Sequence, residues 1–254
     1  MPRTAPLIAL FAAGLMGRAD AATTDLDAII AESQEARQVE NAVQKVRMVL
    51  VARSGSERVR EFETRVRRDG EVVKSWTRFS HPSDVAGTQL VLIDHPDQSD
   101  EQLLYLPALQ RVNRIAGKAR KGSFMGSDYA YEDLEVSGLD DAQHTLVRED
   151  DQLWVIDSVP GGDSSYSRIR SHVSKADKVP RVVEFFDAKG EALKVLRVSK
   201  TERDGDVVLP TVSEMENLKK GTRTRLEVLE HKLDVPAEEI PDETFTAAFM
   251  ERSG

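Results

Sequence analysis

The stretch that most restricts this chain runs from Arg58 to Phe79. Arg58 to Arg68 (RVREFETRVRR) alternates apolar and polar residues, Asp69-Gly70 follows, and Glu71 to Phe79 (EVVKSWTRF) resumes after it. A period of two places every second side chain on the same face of a strand, and Asp-Gly is a tight hairpin turn. Both strands are long, and one face of each is charged. That combination indicates an antiparallel meander with one wet face and one dry face.

The same pattern recurs along the chain. From Val43 on, Val46, Met48 and Leu50 alternate with Lys45, Arg47 and Val49. Further strands are predicted at Gly87 to Ile93, Gln102 to Leu106, Arg111 to Ile115, Thr145 to Arg148, Gln152 to Val159 and Tyr166 to Val173. Pro180 to Asp187, Ala192 to Lys200, Val207 to Asn217 and Thr222 to Lys232 complete the set, with turns at Asp187-Ala188-Lys189-Gly190 and Asp204-Gly205. Thr23 to about Glu40 reads as one helix, capped by Thr24 or Asp25, with Leu26, Ile29 and Ile30 as its apolar stripe. Thr244 to Met250 is a short amphipathic segment near the end. No repeat and no linker divides residues 22–254, so they read as a single domain. A sheet of so many strands must curl. The expected fold class is mainly β: an unclosed, curled antiparallel sheet with helices on its concave side.

Residues 1–21 read as a cleavable signal peptide. Arg3 is the basic start, Leu7 to Met16 the apolar run and Ala19-Asp20-Ala21 the cleavage site, with the cut near Ala21. The whole chain carries a net charge of -9, and loss of the signal, which holds Arg3, Arg18 and Asp20, makes it slightly more acidic. That balance argues against a nucleic-acid partner and against passive adhesion to anionic lipid. Cysteine is absent, which removes disulfides, thiolate metal sites, a Cys nucleophile and a lipidated N-terminal cysteine. A soluble protein in an exported compartment, a bacterial periplasm, is expected.

Enzyme signatures are missing. There is no GxSxG elbow, no HExxH and no phosphate-binding glycine loop. Gly161-Gly162-Asp163-Ser164-Ser165 lies between two strands and reads as a turn. The five histidines (81, 95, 144, 172 and 231) have no metal-pair spacing, and Asp94, His95, Asp97 and Asp100 read as a hydrated turn. No catalytic residue, metal or cofactor is expected.

One block stands apart, Tyr105 to Leu134. It carries Tyr105-Leu106-Pro107, then Arg111, Arg114, Lys118, Arg120 and Lys121, then Phe124-Met125-Gly126-Ser127-Asp128, Tyr131 and Asp133. Phe124 and Met125 are large apolar groups in a segment otherwise polar enough for a surface loop. Such a loop packs onto a core or covers a binding surface, so it reads as a plug or lid. The candidate lid is Gly117 to Gly126, hinged at Gly117, Gly122 and Gly126. The basic cluster reads either as a solvated hairpin or as a docking patch for an anionic head group or acidic partner. Trp76, Phe79, Leu90, Leu92 and Trp154 are candidate lining of an interior cavity. A filled core and a partly empty one are both consistent with the pattern.

At these residues the chain resembles the LolA-like outer-membrane lipoprotein-sorting proteins, in particular a larger periplasmic branch associated with inner-membrane transporters of the resistance-nodulation-division type. The resemblance rests on Phe79, Pro82, Val85, Gly87, Thr88 and Leu90, and on the Tyr105 to Asp133 motifs. Weaker echoes lie at Pro210, Met215, Asn217, Ile240-Pro241 and Phe245. It implies an incomplete, half-open barrel of about eleven antiparallel strands covered by helices, and an apolar cavity for acyl chains. It also implies a non-enzymatic carrier of lipid or lipoprotein cargo between an inner-membrane transporter as donor and an outer-membrane acceptor. Contact with membranes would be transient and the protein a monomer. A non-catalytic docking subunit of an envelope transporter is the alternative.

Overall fold

The computed structural model describes residues 25–95, 100–135, 139 and 142–254. Residues 1–21, read above as a signal peptide, and Thr23, Thr24 and Asp97 lie outside the described residues.

Thirteen strands form one sheet. The first arm is β1 (Asn41–Val51), β2 (Glu57–Asp69), β3 (Val72–His81), β4 (Gln89–Asp94), β5 (Glu101–Leu106) and β6 (Arg111–Arg114). The second is β7 (Gln143–Glu149), β8 (Leu153–Val159), β9 (Arg168–Ser174), β10 (Pro180–Phe186), β11 (Ala192–Asp204), β12 (Val207–Asn217) and β13 (Thr222–Leu233). The spatial order is β6-β5-β4-β3-β2-β1-β13-β12-β11-β10-β9-β8-β7. Every alternating segment marked in the sequence became a strand, so the count exceeds the eleven that the resemblance implied.

All neighbours are consecutive in sequence except β1 and β13, which pair antiparallel from Ala42 opposite Leu233 to Val51 opposite Arg223. That one non-local ladder joins two meanders into a single curved sheet. Its edges, β6 and β7, are consecutive in the chain but lie at opposite ends of the sheet. The connection between them must therefore cross the open side, and this is the Phe124 block.

The inner face carries the main core, including Val46, Met48, Leu50, Phe62, Phe79, Leu90, Trp154, Ile156, Val183, Leu196 and Met215. The N-terminal helix α1 (Leu26–Glu35) lays Ile29 and Ile30 on this core, and Asp25 caps it by accepting from Ala28 N at 3.2 Å. It stops short of Glu40 because the Ala36 carbonyl is taken by Val208 N of β12 at 2.7 Å. The chain then turns so that Val39 can be buried.

The C-terminal helix α2 (Ala247–Ser253) departs from expectation. It covers the convex face, not the concave one. Phe249 and Met250 pack with Trp76, Val91 and Tyr105, which alternate with the inward residues of β3, β4 and β5. The physical reason is parity. Trp76, Val91, Ile93, Leu103 and Tyr105 make the outer face of that arm apolar as well, and an apolar outer face needs a cover. Gln89 secures it by accepting from Trp76 Nε1 at 2.8 Å and donating to the Met250 carbonyl at 2.8 Å. Among the described residues no helix is long and apolar enough to cross a membrane.

Candidate functional site

The segment that crosses the open side is built by local backbone reversal. Met125 and Gly126 take left-handed φ values of 49° and 72°, a conformation glycine adopts freely and methionine does not. The reversal returns Ser127 N to the Phe124 carbonyl at 2.9 Å. Phe124 N donates to the Tyr129 carbonyl at 2.7 Å and Tyr131 N to the Gly122 carbonyl at 3.0 Å, closing a miniature hairpin. Its tip drives the Phe124 ring inward. The rings of Phe62 and Phe79 lie 5.0 Å apart, Phe79 and Phe124 5.9 Å, and Phe124 and Tyr131 5.8 Å, an aromatic column from the sheet into the plug.

Polar groups pin the plug to both arms. On the first arm, Arg60 of β2 donates through Nη1 to the Met125 carbonyl. On the second, Asp128 accepts from the Thr222 and Thr224 hydroxyls of β13, and its own N–H donates to Thr224 Oγ1 at 2.9 Å. Asp133 goes deeper. Its side chain is 0 % exposed and forms an ion pair with Lys194 of β11, itself 4 % exposed. Asp133 also accepts from Ala130 N at 2.6 Å and from the Tyr166 hydroxyl at 2.7 Å. The Lys194 ammonium lies 5.0 Å from the Tyr166 ring centre and 4.9 Å from that of Phe185. Burial first, and then the Asp133 charge, push the Tyr166 phenol well above its ordinary range, so it stays a donor.

The basic cluster divides. Arg120 forks onto Glu135, and Lys121 pairs with Asp163 at 2.5 Å. Both are fastenings of the crossing segment, leaving Arg111, Arg114 and Lys118 exposed at and beside the edge strand β6. Glu135 is nearly enclosed and also accepts from Gln102 Nε2. Burial raises the Glu135 carboxyl above its usual range, against the opposing pull of Arg120. A carboxyl raised on folding contributes most stability below its unfolded value of about 4.3 and loses that contribution as pH rises through its folded value. The stability of the wild type minus that of Glu135→Gln is therefore expected to fall as pH rises from about 4 towards neutrality. Denaturant melts across that window check this, and a difference that grew with pH would contradict it.

The expected lining residues do not all meet. Phe79, Leu90 and Trp154 belong to the inner core, and Leu92 and Leu106 pack against it. Trp76 and Tyr105 face the opposite side under α2, so neither lines the interior. Pro107 sits against Gly87, where an added Cβ would lie 3.1 Å from its ring. Of the three candidate hinges, Gly117 and Gly126 have positive φ, whereas Gly122 is extended and donates to the Ala119 carbonyl at 3.0 Å. Lys194, Tyr166, Glu135, Gln102 and Arg60 escaped the sequence reading. Lys194 and Arg60 did leave a trace, each being a cation in an inward slot of the alternation, two residues from Leu196 and Phe62.

Beneath α1, at the end of the sheet away from the plug, lies a cavity of about 50 Å³ lined by residues that include Ile30, Leu139, Ile156 and Val173. Ligand pockets commonly measure about 300–1,000 Å³. This space alone is too small for an acyl chain while α1 stays in place.

A family model described as "Uncharacterized protein" matches residues 71–252, more than half of the chain. No curated protein matches. Among solved structures, a domain from Vibrio parahaemolyticus described as outer membrane lipoprotein-sorting aligns with a TM-score of 0.81 at 27% identity, covering 89% of this chain and 97% of that one. A DUF1329 family protein from Desulfovibrio piger aligns with a TM-score of 0.81 at 23% identity, covering 88% and 96%. A LolA superfamily protein from Nitrosomonas europaea aligns with a TM-score of 0.71 at 18% identity, covering 89% and 100%.

Proposed function

We propose that the chain, which shares the fold of LolA-like proteins, is a periplasmic carrier. It would bind the acyl chain of a lipid or lipoprotein against the inner face of the sheet and shuttle it between inner and outer membrane. The observation that supports this best is how the apolar inner face is closed. Strand pairing does not seal the sheet; the plug and α1 cover it, and covers can be displaced.

The energetics set what such a carrier needs. Each buried methylene gains about 0.8 kcal/mol, so a chain of roughly a dozen gains about 10 kcal/mol. A membrane offers the same gain. Loading therefore calls for an energised donor, for which an inner-membrane transporter is our candidate, and release calls for an outer-membrane acceptor of comparable affinity. Opening would break the Arg60 and Asp128 fastenings at one end or lift α1 at the other. The α1 cover is held on its outer side by Glu32 with Lys178 at 2.8 Å, a partly exposed pair of modest strength.

Mass spectrometry of organic extracts from the purified protein should find co-purifying lipid, and a fluorescent fatty acid should bind and be displaced by it. Protein with no extractable lipid and no probe binding would sink the carrier reading. That outcome would leave the second reading, a docking subunit of an envelope transporter, which the exposed Arg111, Arg114 and Lys118 favour.

A further inference from the structure

The sheet ends in two edges, β6 and β7, and they differ in charge. β7 runs into Glu149-Asp150-Asp151, and its Arg148 pairs with Asp150 at 3.3 Å. β6 carries Arg111 and Arg114, both exposed, with exposed Lys118 just beyond it. Arg111 and Arg114 enter no ion pair among the described residues, and Lys118 stands close enough to Asp163 to favour its charge. A chain with a net charge of -9 thus keeps one locally positive edge. The backbone of that edge is open as well. Ile115 N donates to the Gln102 carbonyl at 2.9 Å, and the register continues with Leu104 opposite Asn113 and Leu106 opposite Arg111. In an antiparallel ladder, residues bonded to the neighbour alternate with residues whose N–H and C=O point away from it. On β6 the outward residues are Val112 and Arg114. The Val112 side chain packs into the outer cluster with Tyr105, so α2 covers a face of this arm, while no strand lies beyond its edge. Leu109, 53 % exposed, stands at the head of the strand, where Gln110 takes a left-handed φ of 47° to end the turn.

We propose that β6 is a docking edge for an extended, acidic segment of a partner protein, which joins the sheet as a further strand. The outward N–H and C=O groups of Val112 and Arg114 give such a segment main-chain hydrogen bonds, and the side chains beside them give it specificity. Arg111 shares the inner face with Asn113, and Arg114 shares the outer face with Val112, because strand side chains alternate. The incoming strand therefore needs acidic residues on both of its faces, and an apolar residue at its end meets Leu109. The rest of this acidic molecule repels such a segment and steers it to the one positive edge. Edge cations also keep a sheet from pairing with arbitrary strands. The two roles agree, since an edge that refuses basic strands still admits an acidic one. A lipid surface would use the cations but has no strand to offer the outward backbone groups, which is why the geometry favours a peptide. The inference concerns how the protein meets a partner, whatever its cargo, and does not rest on the carrier reading.

The test uses the protein without residues 1–21 and a fluorescein-labelled peptide in which pairs of glutamates alternate with pairs of valines, beside its lysine analogue. The glutamate peptide is expected to bind at least about tenfold more tightly than the lysine one, and the double variant Arg111→Glu, Arg114→Glu should reverse that order. Amide hydrogen exchange reads the backbone. The glutamate peptide should slow exchange at Val112 and Arg114 and leave Asn113, already paired with Leu104, as it was. Val112→Pro removes an outward N–H and no bond to β5, so it should fold and weaken the peptide at least about tenfold. Should it not fold, the exchange measurement on the wild type decides alone. Equal affinity for the two peptides, or binding without protection of Val112 and Arg114, overturns the proposal. Binding of phosphatidylglycerol vesicles but of neither peptide overturns it too, and assigns the cations to a membrane surface. No binding of peptides or vesicles leaves the cations as guards of the edge and equally overturns it. The carrier reading stands in each of these cases, since lipid extraction tests it separately.

Discussion

Asp133→Ala is expected to lower the free energy of unfolding by about 3–5 kcal/mol, the cost of leaving a buried charge without its partner. Lys194 is the charge in question, and it cannot reach water by rearrangement while β11 keeps its register. Its remaining contacts would be the aromatic faces of Tyr166 and Phe185 and a long 3.5 Å approach to the Asp128 carbonyl. The Tyr166 hydroxyl and Ala130 N lose their acceptor in the same step. Lys194→Met is expected to cost less, because Asp133 would keep both of those donors. The double change Asp133→Leu with Lys194→Met should recover much of the loss, since it buries no unpaired charge. Chemical denaturation of the four proteins measures this. For a domain of this size the alanine variant should melt on the order of 10 °C lower. Equal losses for the two single variants would mean that the neutral hydrogen bonds to Asp133 contribute little.

Phe124→Ala is expected to cost about 3–5 kcal/mol as well, by a different route. The ring is buried between Phe79 and Tyr131, and its removal leaves a cavity where the aromatic column enters the plug. Phe124→Leu keeps most of the volume and should lose less than half as much. The functional consequence separates a plug from ordinary core. A loosened plug should release a bound fluorescent fatty acid faster, while an equally destabilising truncation of Val66, in the separate cluster with Ala42 and Val73, should not. Matching release rates for the two variants would remove the plug from any gating role. Phe124 and Asp133 lie on one short segment, so their combined loss should fall short of the sum: once the plug detaches, the second change has little left to break.

Much of the architecture was legible because it is local. Strand parity and turn chemistry are written within a few residues, so Arg58 to Phe79 declared a hairpin, and the other alternating segments declared their strands, before any packing was known. The buried Phe124 was legible for the same reason, as Phe124 and Met125 stand out against their own neighbours. The sense of the parity was less so. Trp76 and Phe79 are both large, buried residues of β3, yet only Phe79 faces inward. The choice depended on α2, far along the chain, covering the other face.

The sequence by itself determined the strands and their meander order and singled out one apolar loop, all consequences of short-range backbone geometry. Tertiary structure alone decided that β1 meets β13 and that Asp133 meets Lys194. These contacts join residues with no periodic relation in the chain, and charges come together there because a curved sheet and its covers exclude the water that would otherwise separate them.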